Sequence, residues 1–143
     1  MRKSILALMA LLFISLCAAS AQTISFGLGD PALETNLNSI GGSAKVDTAG
    51  FEAEISLTWG QTAASVQMAM SQGLQPAEVY LAAALAKISG KPMTMVIELY
   101  KKNSNKGWGA LAKELGIKPG SPEFKALKDK VSTSSDKLRK NKK

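Results

Sequence analysis

The sequence predicts an all-α fold, a small bundle of about five or six short helices followed by a disordered basic tail. Three observations predict it. Apolar residues recur at i, i+3, i+4 and i+7, as in Met93, Val96, Ile97, Tyr100 and again in Trp108, Leu111, Ala112, Leu115, which is one face of a helix. Helix punctuation is frequent: Asp30-Pro31, Pro76 and Ser121-Pro122 read as starts, and Gly73, Gly90 and Gly116 as stops. The one alternating run, residues 51–59, has no partner elsewhere, and an isolated strand is marginal.

Taken in order, "QTISFGLGD" (Gln22 to Asp30) is short, holds two glycines and reads as irregular. Asp30 as N-cap and Pro31 in the first turn open a helix to Ile40, which Gly41-Gly42-Ser43 is expected to break. In residues 51–59, Phe51, Ala53, Ile55, Leu57 and Trp59 alternate as on a half-buried strand, whereas Phe51, Ile55 and Trp59 fit i, i+4, i+8 on a helix. The missing partner favours the helix, and a strand remains the alternative. Gln61 to Gln72 reads as a helix closed by Gly73. Val79 to Ile88 is apolar on nearly every side, the mark of a buried central helix. Met93 to Tyr100 and Trp108 to Leu115 are amphipathic, and Ser121-Pro122-Glu123 starts a last helix carrying Phe124, Leu127 and Val131 inward. From Ser132 onward the sole large apolar residue is Leu138, so 132–143 is expected to be a disordered tail. "LAKISG" at Leu85 returns as "LAKELG" at Leu111, each followed by a proline and another apolar helix, a faint repeat of two helix-turn-helix units.

The N-terminus predicts export. Arg2 and Lys3 precede an apolar stretch from Ile5 to Cys17, and Ala19-Ser20-Ala21 supplies small residues before a cut. That order is a secretory signal peptide over 1–21 with cleavage after Ala21, placing the protein in the periplasm or outside the cell. No apolar run reaches the roughly 18 residues of a membrane span. Removal of the signal takes away Cys17, the one cysteine, and leaves a single helical domain over 22–131 plus the tail.

Charge is laid out unevenly. From Gln22 to Tyr100 three basic residues face seven acids, a net of −4; from Lys101 to Lys143 thirteen basic residues face four acids, a net of +9. Lys128, Lys130, Lys137, Arg139, Lys140, Lys142 and Lys143 form a basic arm, a candidate site for a polyanion such as anionic lipid, envelope polysaccharide or extracellular nucleic acid. The bland reading is a solvated helix face with a solubilising end. Trp108, between Gly107 and Gly109, is a candidate stacking platform beside Lys101, Lys102 and Lys106. Its place on the Leu111/Leu115 stripe favours a core anchor instead, with the glycines admitting close backbone approach.

The stretch from Pro76 to Lys128, above all Gly107-Trp108-Gly109 and Ala112-Lys113-Glu114-Leu115-Gly116-Ile117-Lys118-Pro119-Gly120, resembles a group of small secreted bacterial proteins of unassigned function. That group sometimes places a histidine inside the "EFKALK" segment, where this chain has Lys125. The resemblance implies an exported helical protein and carries over no catalytic residue.

The chemistry points away from an enzyme. No histidine is present, so the usual general base and the commonest zinc ligand are missing, and no cofactor is implied. No G-x-S-x-G surrounds a serine, Ser89-Gly90-Lys91 lacks the rest of a phosphate loop, and Glu52 with Glu54 reads as a solvated face. A helix-turn-helix role in the cytoplasm would follow if the N-terminus were not a signal. The candidate recognition helix, Met93 to Tyr100, however, offers packing residues and one repelling acid rather than side chains that read base edges, so sequence-specific DNA binding is not expected. The functional expectation is therefore an exported, non-enzymatic helical interaction domain. Its partner would be an unknown protein or an anionic envelope component, and two classes compete: an adaptor with an apolar groove between helices, and a polyanion binder acting through the basic arm.

Overall fold

The computed structural model describes residues 23–142. The signal peptide expected over 1–21, with Cys17, lies outside the described residues, as does Lys143. Among the described residues seven α-helices follow one another: α1 (Pro31–Val46), α2 (Thr48–Trp59), α3 (Ala63–Ser71), α4 (Pro76–Ser89), α5 (Met93–Lys102), α6 (Gly107–Glu114) and α7 (Pro122–Lys140). No strand occurs among the described residues. Residues 51–59 belong to α2, with Phe51, Ile55 and Trp59 buried and Leu57 exposed, so the four-residue period governs this run rather than the alternation.

The starts and stops work as the sequence indicates. Asp30 accepts from the Leu33 amide (2.9 Å) and Pro31 follows it, while Ser121 Oγ accepts from the Phe124 amide (3.1 Å). The two related turns close alike. Gly90 (φ 73°) and Gly116 (φ 82°) hold the left-handed conformation, and the amides after them, Lys91 and Ile117, donate to the carbonyls of Ala86 (3.1 Å) and Ala112 (2.8 Å). These are Schellman caps, and buried Ile117 supplies the hydrophobic contact that accompanies one.

Two expectations are corrected. Gly41 and Gly42 do not end α1, which runs through them to Val46. α1 crosses α4 here, and a Cβ placed on Gly41 would sit 3.0 Å from the Ala77 Cβ. The glycine serves close helix packing, and the α1–α4 contact supports the helix that its own propensity would weaken. Nor is the expected tail disordered from Ser132 to Lys140: α7 continues to Lys140 and buries Ser134, Ser135 and Leu138. The segment looks soluble because two of its buried residues are serines, small enough to let α7 lie against its neighbours.

α4 is the centre. Residues 79–85 are all fully buried, and α1, α2, α3, α5 and α7 pack around the helix. α1, α2 and α7 also pack on one another; α3 and α5 each pack on α4 but not closely on each other.

Candidate functional site

The basic arm is the first candidate to be placed, and most of it has partners within the chain while its side chains stay largely at the surface. Lys128 pairs with Asp30 (2.6 Å), Lys137 reaches Glu54 Oε1 (3.6 Å), and Arg139 pairs with Asp136. Lys130 Nζ stands 5.3 Å from the centroid of the Trp59 ring, a cation–π contact. The Lys128 ammonium and the Leu33 amide together hold the Asp30 carboxyl below its ordinary pKa. Along the outer side of α7, Asp129 and Asp136 are seven residues apart and both exposed, and Lys125 pairs with Asp129 (2.7 Å). That spacing puts the two acids on one line of the helix, so its most exposed ridge carries both signs. Lys140 and Lys142 are exposed. An opening of about 670 Å³ between Gly29-Asp30 and residues 119–129 contains Asp30, Lys125, Lys128 and Asp129. Its charges already neutralise one another.

Trp108 is a core anchor and not a platform. It is 2 % exposed. Its ring stacks on Tyr100 (centroids 3.9 Å, 13° between planes), and its Nε1 donates to Glu78 Oε1 (3.2 Å). The place a ligand would take is occupied by Tyr100, whose hydroxyl donates to the same Glu78 oxygen (3.1 Å). Partial burial and the Glu78 carboxylate push the Tyr100 pKa up. The glycines do admit backbone: Gly109 N–H donates to the Phe26 carbonyl (2.8 Å), and a Cβ on Gly109 would collide with the Gly27 carbonyl oxygen. Lys101 donates to Gln72 (2.7 Å), while Lys102 and Lys106 stand exposed, so no stacking surface is assembled from the three lysines and Trp108.

Glu54 overturns the solvated-face reading of the Glu52/Glu54 pair. Two positions apart on a helix, the residues point about 200° away from each other. Glu52 stays half-exposed and accepts from Gln67, while Glu54 is buried. Its Oε1 accepts from Thr58 Oγ1 (2.8 Å) and Ser134 Oγ (2.7 Å), and Ser134 in turn accepts from the Tyr80 hydroxyl (2.8 Å). Burial pushes the Tyr80 pKa up to about 12. With Lys137 beside it, this chain of hydroxyls stabilises a carboxylate that burial alone would penalise. It fastens α2, α4 and α7 together. Sequence reading missed it because Tyr80 and Glu54 lie 54 and 80 residues from Ser134.

The arrangement best suited to binding lies where α3 and α5 stand apart. A groove of about 280 Å³ runs between Gln61, Ser65, Met68 and Gln72 on one side and Pro92, Met93, Thr94 and Ile97 on the other. Met93 and Ile97 are buried at its floor, and Met68 remains 48 % exposed at its mouth. Met95, also on α5, is 44 % exposed and lines no part of it, and Met70 is partly buried against the core. Methionine is unbranched and polarisable, so such a wall can adapt to an apolar side chain from outside. The signal was present as the methionine spacing of "QMAMSQ" and "MTMVIE", but the gap between the helices was not. Among the described residues no group of three or more acidic, histidine or cysteine side chains is placed to hold a metal ion.

No family model matches this chain, and neither a curated protein nor a solved structure matches it.

Proposed function

We propose that the chain is an exported, non-enzymatic helical binding module whose partner is a protein that seats apolar side chains in the α3–α5 groove. The observation that carries this reading is the groove wall itself: Met68 exposed beside buried Met93 and Ile97, with polar Gln61, Ser65, Gln72 and Thr94 at the rim. An apolar floor with a polar rim is the anatomy of a small interface hot spot. At about 280 Å³ the groove lies at the lower edge of the range for small-molecule sites and has room for side chains presented by a larger partner. Export rests on the charged, apolar and small-residue order of residues 1–21. The polyanion alternative draws support from exposed Lys140 and Lys142, whereas Lys128, Lys130, Lys137 and Arg139 already have partners within the chain that a polyanion would have to compete with.

A photo-crosslinking side chain placed at Met68 or Thr94, and for contrast at Ser132 on exposed α7, tests the reading in the native cell. A discrete protein adduct at the groove positions that persists in high salt supports it, since apolar contacts are not screened. Adducts only at Ser132, or equal at all three positions, overturn it. Intact mass decides export separately: a stable chain beginning at Gln22 supports it, and one retaining residues 1–21 removes it while leaving the groove untouched.

A further inference from the structure

Residues 23–29 are held as a peptide ligand is held. Exposure alternates along them: Ile24 is half-buried, Phe26 and Leu28 are buried, and Thr23, Ser25, Gly27 and Gly29 are exposed. That period of two marks a non-helical segment docked by one side. α1 binds its backbone through side chains. Ile24 N–H donates to Asn38 Oδ1 (2.8 Å) and Asn38 Nδ2 donates back to the Ile24 carbonyl (2.9 Å). Leu28 N–H donates to Glu34 Oε1 (2.9 Å), and Phe26 N–H to Oε2 of the same carboxylate (3.4 Å). From α6, Gly109 N–H donates to the Phe26 carbonyl (2.8 Å). Main-chain hydrogen bonds with pockets for alternate side chains are how extended peptides are recognised between molecules.

Here the peptide and its seat belong to one chain. The segment reaches α1 only by doubling back, with φ of 67° at Gly27 and 76° at Gly29. We infer that the seat between α1 and α6 is a peptide-binding groove whose other occupant is residues 23–29 of a second copy of this chain, the two copies filling each other's seats. The segment is the sequence seen to fit, and every copy carries one. The contacts of residues 24–28 within the seat survive the exchange; what changes is the hinge at Gly29 and the loss of a local concentration on the order of millimolar. The inference does not depend on the α3–α5 groove.

Measurements on the full chain, processed as the cell processes it, test this. In native-state hydrogen exchange of the wild type, the Ile24 and Leu28 amides exchange at least about tenfold faster than the middle of α4, because the segment leaves its seat without global unfolding. Equal rates overturn the proposal whatever the variants do. Gly29→Val makes the left-handed hinge costly, and the position has open space around it. About tenfold per hinge, with two hinges relieved, raises the dimer association constant roughly a hundredfold in light scattering. A folded Gly29→Val chain that is still monomeric at about 1 mM overturns the proposal. Complementation identifies the element exchanged. Gly109→Ala blocks the seat and keeps the segment, while Phe26→Ser keeps the seat and spoils the segment. Mixed, the two form a one-to-one complex that neither forms alone; two folded monomers that stay apart overturn the proposal.

Discussion

The two groups of helices around α4 are built to different standards. α1, α2 and α7 touch α4 and one another, and buried hydrogen bonds run among them from Tyr80 through Ser134 to Glu54. α3 and α5 touch α4 but not closely each other, and the α3–α5 groove opens between them with Met68 at its edge. The first group fixes the shape of the molecule, because its helices all pack on one another as well as on α4 and directional bonds join them. The second leaves apolar surface that no described residue covers. The difference teaches where binding can be added without disturbing the fold: at the edge whose two helices do not close on each other.

The largest expected effect tests the tighter group. Ending the chain after Val131 removes Leu138, which is 4 % exposed, and Ser134, which satisfies both Tyr80 and Glu54. Losing a buried leucine costs about 2–5 kcal/mol and each orphaned buried polar group about 1–3 kcal/mol. A fall of more than about 10 °C in the thermal melt follows. An unchanged melt would show that the C-terminal half of α7 adds nothing to the group.

Leu85→Ala comes next. Leu85 is fully buried in α4, where both groups meet, and truncation is expected to cost about 2–5 kcal/mol in urea unfolding. Leu111→Ala on α6 (Leu111 is 3 % exposed) should fall in the same range. If either loses less than about 0.5 kcal/mol, the helix faces assigned to the core are wrong.

Tyr80 sharpens the comparison through pH. Its pKa rises from 10.0 to about 12 because burial disfavours the phenolate. Between those values the folded state binds more protons than the unfolded one, so stability falls as pH rises. The contribution is fully present below pH 10 and lost on passing through 12, about 2–3 kcal/mol in all. Unfolding free energies measured from pH 9 to 12 should show the loss, and Tyr80→Phe should flatten that part of the curve. An identical slope in the variant would place the titration elsewhere.

Local signals made much of the fold legible. Asp30-Pro31, Ser121-Pro122, Gly90 and Gly116 act through neighbours within a turn or two, so their roles could be read from the chain alone. Gly41 could not, because its reason lies in Ala77 across a helix crossing. Ser134 and Ser135 read as solvent-facing because nothing nearby in sequence says that Tyr80 and Glu54 wait for one of them. The groove was half legible: the methionines stand in the sequence, but the space beside them exists because α3 and α5 do not close on each other.

The smallest effect on stability carries the most about binding. Met68→Gln exchanges one long, flexible side chain for another at a site that is 48 % exposed, so unfolding free energy should change by no more than about 0.5 kcal/mol. Met95→Gln, at 44 % exposure and outside the groove, is the matched control with the same chemistry. If the α3–α5 groove is the binding edge, the crosslink from Thr94 should be lost in Met68→Gln, kept in Met95→Gln and kept in Lys140→Gln. Loss in both methionine variants would instead mark the whole exposed side of α5 as the contact. Loss only in Lys140→Gln would return the partner to the basic end of α7, and the tightly packed group rather than the open one would then be the side that binds.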